Sequence, residues 1–275
     1  MNLSISNIAW DIIRDSDVAK ILEAHKLKRV DIAPSKYIPN LFTVKQSEIE
    51  RIKLFWAGHG INVSAMQSLL YGFDDLNIHN SIDDRNHILD IIQYQASMLR
   101  VLGGQYLIFG CGKNRNIRLI NSPNSFQFSR TAEEFFHNAA EICRNHGIIF
   151  CIEPMPKEYN CNFLVTHNEV GNIVKSISHP NLCINLDVGI MLMNDEKCES
   201  FLDLYGDYVR HIHLSSPYLK PFKPSYLPSD FITSEIVRAI KNMQKCQVSI
   251  EMLCKEPSYA LEDIDEAIKF AKHVI

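Results

Sequence analysis

Apolar residues recur along this chain at two spacings. In short runs they alternate with small or polar residues, as on a β-strand, and between those runs they return every three to four residues, as on one face of a helix. Residues 3–10 alternate in this way, and Asp15 or Ser16 can cap a helix running to about His25. Residues 29–34 predict a second strand, followed by a helix over about 45–58 with Gly58 suited to its C-terminal cap. A third strand is predicted over 61–70; Ser81-Ile82-Asp83-Asp84 then opens a helix that reaches Leu102 before Gly103-Gly104. Residues 106–109 give a fourth strand, Gly110-Cys111-Gly112-Lys113 a turn, and Ser129 the cap of a helix that Gly147 ends. The fifth strand covers 148–153 and its helix 166–178; the sixth strand covers 182–187, with a short helix over about 195–205. The seventh covers 209–213, and a loop carrying Pro217, Pro221, Pro224 and Pro228 leads to a helix over 229–243. Residues 247–251 form the eighth strand, and 258–274 close the chain helically.

Eight strand–helix units in strict alternation require a parallel sheet, and eight such strands close into a ring. The expected fold is therefore α/β, a single (β/α)8 TIM barrel forming one domain over 1–275. Four of the strands end on a side chain able to bind a metal: Glu153, Asp187, His213 and Glu251. Residues two apart on a strand share a face, so Cys151 lies on the face of Glu153, Asn185 on that of Asp187, His211 on that of His213 and Ser249 on that of Glu251. The opposite face takes Phe150 and Ile152, Ile184 and Leu186, Ile212 and Leu214, then Val248 and Ile250. A barrel strand turns one face to the helices and the other to the interior, so the four ligands are expected to converge at the C-terminal mouth. Their separations of 34, 26 and 38 residues are close to one unit each.

Composition narrows the setting. The 275 residues are 46% hydrophobic and 22% charged, which is ample for a large core. A net charge of -4 gives no electrostatic case for nucleic acid or an anionic membrane as partner. The eight cysteines contain no C-x-x-C pair, as expected of reduced thiols in a cytoplasmic protein. No signal peptide is evident, and no apolar run approaches the roughly 18 residues of a membrane helix, so a soluble chain is expected.

Two glutamates, an aspartate and an imidazole make a hard-to-borderline donor set suited to one divalent metal, Mn²⁺ first, with Mg²⁺, Co²⁺ or an open Zn²⁺ site as alternatives. Three carboxylates facing one another without a cation would raise each other's pKa. A metal that chelates a carbonyl and the neighbouring hydroxyl acidifies the α-hydrogen by stabilising a cis-enediolate. Trp10 and Gln67 fall at the same end of the barrel, as a possible aromatic wall and an amide for a substrate hydroxyl, although Trp10 could equally fill the core. Lys220 and Lys223 after strand seven, and Lys255 after strand eight, lie where barrels often hold phosphate. His211 is expected one layer below His213, supporting it by hydrogen bonding. His179 is read as a helix-end residue and 110–113 as a plain turn.

The segments Ile152-Glu153-Pro154, His179-Pro180-Asn181-Leu182 running into Leu186-Asp187-Val188-Gly189, His211-Ile212-His213 and Ile250-Glu251 resemble the xylose-isomerase-like barrel superfamily, specifically its sugar (phosphate) isomerases and epimerases. Ser4-Ile5-Ser6-Asn7-Ile8-Ala9-Trp10, Val30-Asp31-Ile32-Ala33-Pro34 and Ser64-Ala65-Met66-Gln67-Ser68-Leu69-Leu70 are similar to members of that group as well. The resemblance implies that Glu153 and Glu251 both ligate the metal and act as the catalytic pair on opposite faces of a sugar, with Asp187 and His213 completing the site. It also implies a sugar contact for Glu158 and a possible homodimer. Ile190 and Leu219 stand where the epimerases commonly carry His and Arg, and the lack of a histidine at 190 argues against the superfamily's trinuclear DNA-repair nucleases. The expected activity is isomerisation or epimerisation of a small sugar, sugar phosphate or related derivative. A dehydratase or lyase using the same enolate, a sugar-binding barrel without turnover, and hydrolysis of abasic DNA are the alternatives.

Overall fold

The computed structural model describes residues 2–117 and 125–275. Its eight parallel strands are β1 (Asn2–Ser6), β2 (Arg29–Ile32), β3 (Asn62–Met66), β4 (Tyr106–Phe109), β5 (Ile149–Ile152), β6 (Leu182–Asp187), β7 (Val209–Ser215) and β8 (Gln247–Glu251). They pair in chain order, and β8 returns to β1, so the sheet closes into the expected barrel. The surrounding helices are α1 (Asp15–Ala24), α2 (Gln46–Gly58), α3 (Ile82–Leu102), α4 (Ser125–Asn145), α5 (His167–Ile177), α6 (Val188–Met193), α7 (Cys198–Tyr205), α8 (Glu235–Asn242) and α9 (Ala260–Val274).

Local chemistry sets the boundaries. The Ser6 hydroxyl accepts from Ile8 N at 3.4 Å and turns the chain out of β1, so Trp10 lies past the strand rather than on it. β3 stops at Met66 instead of running to Leu70, because Ser68 takes a left-handed φ of 55° that no strand can hold. α3 is capped by Ser81, whose hydroxyl accepts from Asp84 N at 3.0 Å, and it ends at Gly103 with φ 88°. Gly58 remains inside α2; the left-handed residue after that helix is Gly60. α4 starts at Ser125, so Ser129 is an exposed residue of its early turns and not the cap. α8 starts later than expected, since short 3-10 turns consume the proline-bearing loop and Ser234, not Ser229, caps it. α6 is an element the periodicity did not announce: Asp187 ends β6 and at once caps a new helix through Ile190 N at 2.7 Å.

The two faces of the strands differ as their alternation requires. Ile5, Val30, Ile32, Phe109, Phe150, Ile152, Leu186, Ile212, Val248 and Ile250 join the continuous apolar layer between barrel and helices. Ala65, Ile108, Cys151 and Cys183 form a separate small cluster. Buried polar groups, Ser4, Asp31, Asn185, His211 and Ser249 among them, lie on β1, β2, β6, β7 and β8. Among the described residues no helix is long and apolar enough to cross a membrane.

Candidate metal centre

Glu153, Asp187, His213 and Glu251 meet at the C-terminal mouth of the barrel. Each offers a ligand atom within 4.8 Å of those of the other three, and all four side chains are buried. His213 sits level with Asp187 across the β6–β7 ladder, and Glu251 sits level with Ser215 across β7–β8. Its Nδ1 lies 2.7 Å from Glu153 Oε1, 3.2 Å from Glu251 Oε2 and 3.6 Å from Asp187 Oδ2, whereas its Nε2 has no hydrogen-bond partner among the described residues.

Backbone and side-chain contacts fix each ligand from behind. Glu153 lies one residue past β5; its N–H donates to Phe109 O at 3.1 Å, Pro154 then ends the ladder, and Arg115 Nη2 donates to the Glu153 carbonyl at 2.7 Å. Asp187 N donates to His167 Nε2 at 3.0 Å, and the other ring nitrogen of His167 is 3.0 Å from Glu196 Oε1. Asp187 Oδ1 accepts from Ser215 Oγ at 2.7 Å, which accepts in turn from Gly189 N at 2.8 Å. A Cβ at Gly189 would fall 2.7 Å from that hydroxyl and 2.8 Å from Ser216 O, so only glycine allows this approach. Each glutamate also accepts from a buried carboxamide: Glu153 Oε1 from Asn185 Nδ2 at 2.6 Å, and Glu251 Oε1 from Gln67 Nε2.

Burial pushes the Glu153 carboxyl up to about 7, reinforced by the charges of Glu251 and Asp187 and opposed by His213. For His213 burial works downward, but Glu251 and Glu153 hold the imidazole well above its ordinary range. Burial works upward on Asp187, and hydrogen bonds from His213, Ser215 and Ile190 N keep it below the usual carboxylate value. Three carboxylates around one imidazole leave a surplus of negative charge in a buried space. A divalent cation removes that conflict, and three oxygens with one nitrogen are a donor set it accepts.

The other residues singled out by sequence are distributed unevenly. Gln67 reaches the centre through Glu251. Trp10 is buried elsewhere, its Nε1 donating to Asp15 Oδ1 at 2.7 Å and its ring set edge-on to Trp56. Glu158 is exposed on the turn Lys157–Tyr159; its neighbour Tyr159 lines the small cavity of about 60 Å³ over the ligands, with Met155, Ile190, Met193 and Leu219. Lys220 is exposed, 5.2 Å above the Tyr226 ring, and lines a different cavity with Lys223 and Lys255, where Lys223 is paired to Asp263 and Glu266. His211 is buried beneath His213, the ring centroids 5.1 Å apart.

Sequence reasoning missed His167, Arg115 and Tyr159, and read Gly110 as a mere turn. Gly110 could have been found by parity, because it lies two residues beyond the inward Ile108 and a Cβ there would come within 2.8 Å of Glu153 Oε2. The capping pair Thr166 and Glu169 marks where α5 starts but not where the His167 ring points, and nothing local distinguishes Arg115.

Comparison with known proteins agrees with the barrel fold. A family profile described as xylose isomerase-like TIM barrel matches residues 20–274. Fructoselysine 3-epimerase of Escherichia coli O157:H7 is 25% identical over 133 residues, which are 47% of this chain and 45% of that protein; the match thus spans under half of the relative's length. Among solved structures, D-psicose 3-epimerase from Clostridium cellulolyticum H10, in complex with D-tagatose, superposes with a TM-score of 0.80 at 16% identity, covering 100% of this chain and 99% of the other. An IolI protein with a bound zinc atom superposes with a TM-score of 0.73 at 16% identity, covering 100% and 98%. At such identities these structures show a shared fold.

Proposed function

The chain belongs to the xylose isomerase-like TIM barrel family, and on that footing we propose that it is a divalent-metal-dependent isomerase or epimerase of a small sugar or sugar derivative. The observation that carries this reading is the meeting of Glu153, Asp187, His213 and Glu251 in one buried cluster. These four would hold the cation, with manganese the first expectation from the donor types. When bound, it would polarise a carbonyl and the neighbouring hydroxyl and so acidify the hydrogen on the carbon between them.

Glu153 follows β5 and Glu251 ends β8, three strands apart around the ring, so a substrate lying between them meets a carboxylate on either face. One glutamate removes the proton and the other returns one to the opposite face, which inverts that carbon; return to the adjacent carbon interconverts aldose and ketose. Asn185 and Gln67 hold the two carboxylates in place for this exchange. The 3-epimerases among the similar proteins support a sugar as substrate. Eight free thiols favour a reducing compartment such as the cytoplasm.

A screen of ketoses and aldoses for deuterium uptake from D2O, run with Mn²⁺, Co²⁺ and Mg²⁺ in turn, tests the proposal. Glu153→Gln and Glu251→Gln should keep the fold and lose exchange by on the order of 10²- to 10⁴-fold. Undiminished exchange in either variant rejects the assigned roles, and a product lighter by one water means elimination rather than isomerisation.

A further inference from the structure

We propose that Asp31, His211 and Asn185 form a positioning chain across the barrel interior that fixes the Glu153 carboxylate. The inference rests on the reading that Glu153 and His213 serve one shared cation. Asp31 is on β2, His211 on β7 and Asn185 on β6, and all three are fully buried. His211 Nε2 lies 3.1 Å from Asp31 Oδ2, and His211 Nδ1 lies 2.8 Å from Asn185 Oδ1. The other end of the Asn185 amide, Nδ2, lies 2.6 Å from Glu153 Oε1 and 3.0 Å from His213 Nδ1. Asp31 is itself held by a hydrogen bond from Ser64 Oγ.

The chain works because a carboxamide has two unlike ends. One end only accepts and the other only donates, so whatever holds the oxygen decides where the NH2 points. His211 holds the Asn185 oxygen, and the NH2 is left facing Glu153. A half-turn of the amide would set its oxygen 2.6 Å from a carboxylate oxygen, which is repulsive. The His211 ring keeps its plane because Asp31 engages the nitrogen on its far side. A residue on β2 that makes no hydrogen bond to the four ligands thereby sets the geometry of one of them, Glu153.

Glu251 provides the internal contrast. It too accepts from a carboxamide, that of Gln67, but Gln67 Oε1 has no hydrogen-bond partner among the described residues. The two glutamates therefore receive similar donors with unequal backing, and only the Asn185 donor is anchored through two further side chains.

The test uses the full chain loaded with Co²⁺, comparing wild type with Asp31→Asn, Asn185→Ala and the double variant. Three quantities are read: the visible absorption of bound cobalt, its dissociation constant by titration, and kcat and KM for deuterium exchange. Asp31→Asn should alter the cobalt spectrum and weaken binding about 10- to 100-fold, the range usual for residues that orient metal ligands. It should lower kcat more than it raises KM, with the melting temperature nearly unchanged. The double variant should bind cobalt no worse than Asn185→Ala alone, because the chain is already cut. An unchanged cobalt spectrum and affinity in Asp31→Asn, or losses in the single variants that multiply in the double, would overturn the proposal. If Asp31→Asn fails to fold, His211→Asn replaces it: it removes the ring that holds the Asn185 oxygen, and must shift the cobalt spectrum and weaken binding without adding to the loss in Asn185→Ala, or the chain is rejected. Cobalt binding is read without turnover, so a wild type that binds cobalt but exchanges no proton refutes the isomerase reading while the chain is still decided.

Discussion

Gly110→Ala is a one-methyl change whose effect can be worked out from distances. Gly110 is not among the glycines with positive φ, so alanine suits its backbone and the cost is steric alone. The new Cβ would stand 2.8 Å from Glu153 Oε2 and 3.2 Å from Met155 Sδ. Carbon reaches ordinary contact at about 3.5 Å, so the carboxylate oxygen must retreat by roughly 0.7 Å. Its partner oxygen is held at 2.6 Å by Asn185 and at 2.7 Å by His213, and the retreat disturbs both bonds. Overpacking should cost about 1–3 kcal/mol of stability. Misplacing the carboxylate should cost far more in chemistry, about 10²-fold in proton exchange. Gly112→Ala is the control: its Cβ would crowd Cys161 Cβ at 3.2 Å and Met155 Cβ at 3.3 Å without touching Glu153. Calorimetric melting and deuterium uptake, measured on both variants, separate the two effects. Full exchange in Gly110→Ala, or equal loss of exchange in Gly112→Ala, would refute this reasoning.

The remaining expectations follow from charge and from the cavity wall. Glu153 titrates near 7 in the cation-free protein and His213 well above 6.5, both raised. Raised groups stabilise the fold fully below their unfolded values of 4.5 and 6.5, and that contribution fades as pH climbs through the folded ones. A bound cation replaces those protons, so the rise in melting temperature on adding Mn²⁺ should be larger at pH 8 than at pH 5.5; a smaller rise at pH 8 contradicts the charge reading. Tyr159 lines the cavity and burial keeps its phenol protonated, so Tyr159→Phe should lower kcat/KM by about 10-fold with cobalt affinity unchanged, while Glu158→Gln changes neither. Steady-state kinetics on the two variants checks the contrast.

What could be read from the residues was whatever period two controls. Alternation in β5 to β8 put Glu153, Asp187, His213 and Glu251 on one face, and the ring closure brought those faces together. Alternation also misled: Ile8 and Trp10 continue the pattern of β1 after Ser6 has turned the chain, and Leu70 extends that of β3 past the left-handed Ser68. Loops have no period, so Glu158 rested on the resemblance alone, and no pattern pointed to the adjacent Tyr159, which lines the cavity. The contacts of His167 with Asp187 and of Asp31 with His211 join residues 20 and 180 positions apart, and local pattern carries no information about such pairs.

Crystals grown with Mn²⁺ and measured for anomalous scattering at the manganese edge put the shared-cation centre to its most direct test. One peak within about 2.0–2.6 Å of Glu153, Asp187, His213 and Glu251 together is the expected result. A peak bound elsewhere, or none beside these four at saturating Mn²⁺, would contradict it.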